Sequence, residues 1–299
     1  MDYLAFEKAH GIQKAERMLF IDFRLRFTGT IRRSDITEQF GVLDAAASKE
    51  ISEYKELTTS NVNYDRKLRT NAIQPEFVPM FNMSAEQGLG MLSNGFNKNL
   101  LFEKPITAFQ RVGVFPNKLN VDFVSKVTRA LSTKVGLKCT YQTSNSDNDG
   151  ERLLYPTAIF YDGKTWMFRA FHDEAKSYKN FHFVRLSSVE VLTDYEAPDN
   201  ATLEADNEWN TKLPLMLKLH PLLDDRDKLI VRKDFGLNDK DEFTYVERIA
   251  LIYYLIDNWE IDVSNKPSSK KQGKYKFQLL IPDTLQHFES TKRILERLS

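Results

Sequence analysis

Small, polar and lysine side chains recur at helical spacing between Ala45 and Lys55. Hydroxyl and ammonium groups in such a row can bind base edges and phosphates, and alanines let the end of a helix approach bases closely. This pattern predicts contact with nucleic acid rather than catalysis. The residues expected to make these contacts are Ala45, Ala46, Ser48, Lys49, Ser52 and Lys55.

Two helices joined by a tight turn are needed to position these side chains. In the first helix, Ile36 and Phe40 lie four residues apart on one face, with Ser34 as the expected N-cap. Gly41 can adopt the left-handed conformation that ends this helix, and the Asp44 carboxylate is expected to cap the second. The outline is that of a helix-turn-helix, whose second helix suits the major groove of DNA. Its inward-facing residues are expected to be Ala47, Ile51 and Tyr54.

Basic residues flank the helix pair. No acidic residue lies between Phe23 and Ser34, and two strand-like runs around a basic turn after Leu57 predict the wing of a winged helix. Residues 1–82 hold twelve basic and twelve acidic side chains, so the DNA-binding feature is a local patch and not net charge. Further expected contacts are Arg32, Arg33, Ser34, Asn63, Arg66, Lys67 and Arg69. The alternative is a helical hairpin that serves packing alone, with its lysines and arginines solvated.

Composition excludes several classes of protein. The chain has 299 residues, 41% of them hydrophobic, and a formal net charge of +0, which indicates two or three domains and argues against a protein coated in nucleic acid. Cys139 is the only cysteine, so a disulfide within the chain and a thiolate zinc site are excluded. The first residues do not resemble a signal peptide, and the apolar run 249–256 is too short to span a bilayer. We expect a soluble cytoplasmic protein.

The order of predicted elements indicates an α+β protein. The expected segments are a winged helix-turn-helix at 1–82, a helical linker at 83–107, a central domain at 108–195, a second linker at 196–212 and a C-terminal α/β domain at 213–299. Strand-like runs at 137–143, 153–161, 165–172 and 181–186 predict a small β-barrel in the central domain. The C-terminal domain is expected to contain an apolar helix at 245–259.

Motifs of catalysis and metal binding are missing or have simpler explanations. Asp162-Gly163-Lys164 resembles half of a nuclease motif, but Asp-Gly between two strand-like runs predicts a hairpin turn. The five histidines never approach the spacing of a metalloprotease, and neither a P-loop nor a nucleophile elbow is present. We therefore expect no enzymatic activity, no metal and no cofactor.

The strand-like runs also carry a family resemblance. The segment from Tyr155 to His172, followed by Phe181-His-Phe-Val-Arg185-Leu, resembles the core of a WYL domain, a regulatory domain of bacterial proteins with an SH3/Sm-like barrel. Trp166-Met-Phe stands in place of the name-giving Trp-Tyr-Leu triplet. The pattern Lys-x-Trp-x-x-Arg-Ala-Phe is more similar to the branch found beside phage-defence islands, the BrxR/CapW-like repressors. The order of domains is similar too, so the resemblance covers nearly the whole chain.

The resemblance implies a homodimeric repressor of a phage-defence or related operon, bound to an inverted-repeat operator. It also implies an effector site in the WYL domain, for a nucleotide or a short single-stranded nucleic acid. The residues assigned to this site are Tyr155, Trp166, Arg169, Phe181 and Arg185. The alternatives are that the aromatic residues belong to the core and that the arginines pair with surface carboxylates. Two other functions stay open: a nucleic-acid accessory or processing factor that uses the winged helix only for tethering, and a protein–protein interaction module.

Overall fold

The computed structural model describes residues 2–102, 107, 108, 119–143, 150–237, 241–264 and 274–298. The chain forms two compact units. Unit 1 comprises 1–159, 166–177 and 181–197, and unit 2 comprises 160–165, 178–180 and 198–299. Among the described residues, no helix has the length and apolar character needed to cross a membrane.

The N-terminal part of unit 1 combines helices with a small antiparallel sheet. Its elements are α1 (Tyr3–His10), α2 (Ile12–Thr28), β1 (Thr30–Ile31), α3 (Arg33–Phe40), α4 (Asp44–Thr58), β2 (Val62–Asp65), β3 (Thr70–Ile73) and α5 (Ala85–Asn94). Strand β3 lies between β1 and β2. The predicted helix-turn-helix is α3 and α4, and the predicted wing is β2 and β3. Strand β1 has only two residues and leaves no pattern in the sequence.

Helix α3 begins earlier than predicted. Its first residue is Arg33, and the Asp35 carboxylate accepts a hydrogen bond from the backbone N–H of Arg32 at 2.7 Å. The prediction that Ser34 is the N-cap is therefore wrong. Arg32 occupies that position, and the Asp35 carboxylate satisfies its backbone N–H. The predicted helix end at Gly41 is confirmed, since its φ of +65° is left-handed.

Helix α4 also begins without the predicted cap. Leu43 occupies the N-cap position in an extended conformation and makes no side-chain cap hydrogen bond. Asp44 is the first helical residue, so the prediction that its carboxylate caps the helix is wrong. Its charge nevertheless lies in the first turn, where the positive end of the helix dipole favours it.

A helix and a five-stranded antiparallel sheet follow. They are α6 (Val121–Thr133), β4 (Val135–Tyr141), β5 (Gly150–Tyr161), β6 (Trp166–His172), β7 (Ser177–His182) and β8 (Leu186–Glu196), with the strand order β7-β6-β5-β4-β8. Helix α6 packs against α2, where the Arg129 guanidinium donates to the Arg26 carbonyl at 2.9 Å. The sheet is therefore linked to the helix-turn-helix through two packed helices.

The chain turns sharply between β7 and β8. The predicted strand 181–186 is wrong, because β7 ends at His182 and residues Phe183–Arg185 form a 3-10 turn. The turn brings Leu186 opposite Tyr141, where the pairing of β8 with β4 begins. A continuous strand could not change its partner strand within so few residues.

The predicted hairpin at Asp162-Gly163 is confirmed. The Asp162 carboxylate accepts hydrogen bonds from the backbone N–H groups of Lys164 at 2.8 Å and Thr165 at 2.7 Å, and Gly163 has a φ of +93°. The carboxylate thus stabilises the turn, as an aspartate in this position commonly does.

Unit 2 contains a mixed α/β region. Its elements are α7 (Asn207–Asn210), β9 (Lys212–Leu219), α8 (Asp225–Phe235), β10 (Glu242–Arg248), α9 (Ile252–Asn258), β11 (Ile261–Asp262), β12 (Phe277–Leu279) and α10 (Glu289–Leu298), with the strand order β10-β9-β12-β11. The predicted helix at 245–259 is wrong over its first half. Tyr245 lies in β10 opposite Leu215, because alternating aromatic and polar residues there suit an antiparallel strand. In the predicted linker 196–212, Ala201 and Asp206 are buried.

Candidate nucleic-acid interface

Helix α4 separates a buried face from an exposed face, as its pattern predicts. Ala47, Ile51 and Tyr54 are buried in the core of unit 1. Ser48 is half-buried, and the other predicted contacts of this helix are exposed, namely Ala45, Ala46, Lys49, Ser52 and Lys55. Because the first turn carries short side chains, the helix end can lie close to a flat or grooved surface.

The two serines of the exposed face are oriented by their own helix. The Ser48 hydroxyl donates to the Asp44 carbonyl at 2.9 Å, and the Ser52 hydroxyl donates to the Ser48 carbonyl at 3.1 Å. Each oxygen then keeps lone pairs for an incoming donor. The amino groups that adenine and cytosine present in the major groove are such donors.

A buried hydrogen-bond network fixes α4 to α2. The Tyr54 hydroxyl donates to Asp22 at 2.6 Å and accepts from the Asn61 amide at 3.0 Å. Asp22 also accepts from the backbone N–H groups of Met80 at 2.9 Å and Phe81 at 3.2 Å. Burial raises the pKa of Asp22, while the hydrogen bonds from Tyr54 and the backbone lower it. Sequence reasoning missed this residue, although an aspartate inside an apolar helical run is a visible signal.

The turn between β2 and β3 carries the predicted wing residues into solvent. Asp65 accepts a hydrogen bond from the Leu68 N–H at 2.9 Å, which closes the turn. The predicted contacts of this region are all exposed, namely Asn63, Arg66, Lys67 and Arg69 in the wing and Arg32, Arg33 and Ser34 at the start of α3. Unit 1 thus presents exposed polar and basic groups both on the wing and at the start of α3.

Two arginines of the basic stretch turn inward instead. The Arg24 guanidinium lies 3.1 Å from the Asp35 carboxylate. The Arg26 guanidinium donates to the Met83 carbonyl at 3.2 Å, and burial lowers the pKa of Arg26. Both side chains stabilise the domain, so the exposed basic patch is narrower than the sequence alone indicates.

In the five-stranded sheet, two arginines and an aromatic ring lie around a buried tyrosine. The Tyr141 ring centroid lies 5.2 Å from that of Phe181 and 5.3 Å from the Arg152 guanidinium carbon. Its hydroxyl accepts from the His182 N–H at 3.0 Å, and the Arg185 side chain lies near it. Burial raises the pKa of Tyr141, while this hydrogen bond and both arginines lower it. Guanidinium groups beside aromatic rings suit phosphates and bases.

The residues assigned to the effector site do not all lie on this side of the sheet. Phe181 and Arg185 border Tyr141, whereas Arg169 is 1% exposed and follows Phe168, whose ring stacks on Phe181. Neighbouring strand residues point to opposite faces, so Arg169 lies on the other face of β6. Of the remaining two residues, Tyr155 is buried and Trp166 is half-buried. Sequence reasoning missed Arg152 and Tyr141, because only the pairing of β4 with β5 reveals that they are neighbours.

Among the described residues, no group of three His, Cys, Asp or Glu side chains could hold a metal ion. Cys139 is buried, and burial raises its pKa to about 12, so the thiol stays protonated at neutral pH.

Comparison with known proteins matches both halves of unit 1. Residues 13–94 match the winged helix-turn-helix domain of the BrxR transcriptional regulator, and residues 122–191 match the WYL domain. The DNA-binding transcriptional repressor CapW of Pseudomonas aeruginosa is 30% identical over 247 residues, which are 80% of each chain. CapW of Escherichia coli (strain KTE188) is 29% identical over 248 residues, again 80% of each.

A solved structure, the proteasome accessory factor B/C (PafBC) of Arthrobacter aurescens, is a more distant match. Its identity is 17% and its TM-score 0.25, with 81% of this chain and 43% of that chain covered. This chain therefore spans less than half the length of that protein.

The matches confirm the resemblance seen in the sequence. The CapW relatives are named repressors and not enzymes, in agreement with the prediction that the chain is not an enzyme. The chain belongs to the family of WYL-domain transcriptional repressors that includes CapW, with a winged helix-turn-helix of the BrxR type.

Proposed function

We propose that the chain is a homodimeric transcriptional repressor that binds an inverted-repeat operator of a phage-defence or related operon. The observation that carries the proposal is the exposed face of α4, which displays Lys49, Ser52 and Lys55 while its opposite face is buried. A rigid helix with one free polar face suits the major groove, and an exposed basic wing suits the adjoining phosphates.

Footprinting on DNA upstream of the protein's own gene tests this function. The expected result is a protected inverted repeat that overlaps a promoter. Cleavage of the same DNA that depends on a divalent metal would support the accessory or processing factor instead. Absence of any salt-sensitive DNA binding would support the protein–protein interaction module.

The proposed effector site lies around Tyr141, with Arg185 and Arg152 as its cations. Its proposed ligand is a nucleotide or a short single-stranded nucleic acid, because phosphates bind guanidinium groups and Arg185 is exposed. We propose that Tyr155 and Arg169 support the sheet behind the site, and that the half-buried Trp166, which shares a strand face with Phe168, borders it.

Release of DNA requires that the effector bind one arrangement of the protein more tightly than another. A physical route is available inside unit 1. Tyr141 ends β4, β4 follows α6, and α6 contacts α2 through the hydrogen bond from Arg129 to Arg26. Helix α2 in turn holds α4 through Asp22 and Tyr54. We propose that a shift of α6 is transmitted to the DNA-facing helix along these contacts.

A further inference from the structure

The end of α4 that faces the proposed major groove is apolar and exposed. Leu43, at the N-cap, is 81% exposed, whereas the nearby Ile36 and Ala47 are fully buried. Ala45 and Ala46 follow in the first turn and are also exposed. Apart from the Asp44 carboxylate, the side chains exposed at this helix end are aliphatic.

A single exposed leucine is ordinary on a protein surface. Here, however, the apolar turn continues directly into the polar face with Lys49 and Ser52, so it lies inside the proposed DNA interface. The first turn of this helix, 44–47, contains no arginine, lysine, asparagine or glutamine, the side chains that most often identify guanine or adenine through paired hydrogen bonds. Base recognition by the start of this helix must therefore use another kind of contact.

Thymine offers that contact, because its C5 methyl group projects into the major groove and is recognised by apolar side chains. We propose that Leu43, assisted by Ala45 and Ala46, reads thymine methyl groups in each half of the binding site. This inference rests on the proposed DNA-binding function and assigns specificity to a residue outside the row of polar contacts. The ligand that contacts this apolar turn is then duplex DNA with thymine facing the helix end.

The experiment uses the full chain and the duplex that it selects from a random-sequence pool. Each thymine of that duplex is replaced in turn by deoxyuridine, which removes only the methyl group. We expect about a fourfold loss of affinity at the contacted positions, the change that corresponds to one buried methyl group. Leu43→Ala should bind the thymine duplex more weakly and lose most of the difference between thymine and uracil.

Leu57→Ala is the matched control, because Leu57 lies near the opposite end of the same helix and is 47% exposed. It should keep the full dependence on the methyl groups. Leu43→Gln, which also keeps the exposed position filled, serves as a second variant if the alanine variant proves unstable in thermal unfolding. Uracil substitution without effect at every position would overturn the inference and leave DNA binding intact. Equal methyl dependence in Leu43→Ala would overturn the role of Leu43, while failure to select any duplex would instead reject the proposed function.

Discussion

Asp22 and Tyr54 illustrate how much one buried hydrogen bond contributes to the position of α4. The Tyr54 hydroxyl is one of several donors to a carboxylate that is 1% exposed. We expect Tyr54→Phe to lower the free energy of unfolding by about 1–3 kcal/mol, the cost of leaving a buried polar group less satisfied. Urea unfolding of the full chain measures it. Tyr64→Phe is the control, because Tyr64 is 60% exposed and its loss should change stability by less than about 0.5 kcal/mol.

Lys49 and Arg66 give a second test at the scale of single residues. Each is exposed on a different proposed contact element, α4 or the wing. Replacing either with alanine should weaken operator binding and reduce the slope of log affinity against log salt by about one, since one phosphate contact is lost. Fluorescence anisotropy over a range of salt concentrations measures both. Lys126→Ala removes a lysine of α6 that pairs with Asp122 and should leave the slope unchanged. An unaltered slope in Lys49→Ala and Arg66→Ala would contradict the assignment.

Arg185 and Arg152 test the effector site. We expect Arg185→Gln and Arg152→Gln each to weaken binding of a 5′-phosphorylated short oligodeoxynucleotide or of a nucleoside monophosphate by about tenfold, because a charge-assisted hydrogen bond is lost. Isothermal titration calorimetry measures the affinity, and operator binding without effector should stay unchanged. Lys138→Gln is the matched control, since Lys138 lies in β4, the strand that ends at Tyr141, and pairs with Glu151 at 2.8 Å. Native affinity in both arginine variants would reject the site.

At the scale of elements, helix α5 contains two glycines with opposite roles. A Cβ at Gly88 would lie 2.3 Å from the buried Phe27 ring, whereas a Cβ at Gly90 would have its nearest neighbour at 3.6 Å. Gly88→Ala should therefore destabilise the protein by about 1–3 kcal/mol through overpacking. Gly90→Ala should stabilise it by about 0.5–1 kcal/mol through helix propensity. Thermal unfolding of the two variants gives the sign of each change, and equal signs would contradict the packing of α5 on α2.

Gly88 and the boundaries of several strands illustrate what the sequence can and cannot predict about elements. Local patterns predict the helix-turn-helix, the wing and the Asp162-Gly163 hairpin, because caps, periodicity and turn residues act within a few positions. The turn at Phe183–Arg185 and the strand containing Tyr245 depend on pairing with distant strands, which a local pattern does not record. Gly88 appears in the sequence only as a weak helix former, and its reason is a ring from another helix.

The candidate site follows the same division. The exposed row of polar residues on α4 could be predicted from helical spacing, since the buried positions of one helix face determine which residues lie on the opposite, exposed face. The network around Asp22 and the grouping of Arg152 with Arg185 at Tyr141 could not, because each joins residues from separate elements. Sequence reasoning also missed Leu43, whose exposure at the N-cap follows from a helix that begins at Asp44.

At the scale of the whole molecule, charge balance limits what one copy can achieve on DNA. The chain has 42 basic and 42 acidic side chains, so nonspecific attraction to the phosphate backbone is weak. Specific affinity must come from local contacts on α4 and the wing. A twofold dimer doubles those contacts and matches the symmetry of an inverted repeat. The proposed homodimer is therefore an energetic requirement of the proposed repressor.

A spacing series tests this requirement directly. Five base pairs inserted between the half-sites turn one of them by about half a helical turn, so a rigid twofold dimer can no longer engage both. We expect affinity to fall to that of a duplex with a single half-site, at least tenfold below the intact repeat, while sedimentation velocity shows two protein copies on the intact duplex. The fall occurs because the second set of α4 contacts is lost. If the single half-site bound as tightly as the repeat, each copy would act alone, and the contacts of one winged helix would have to supply the whole affinity.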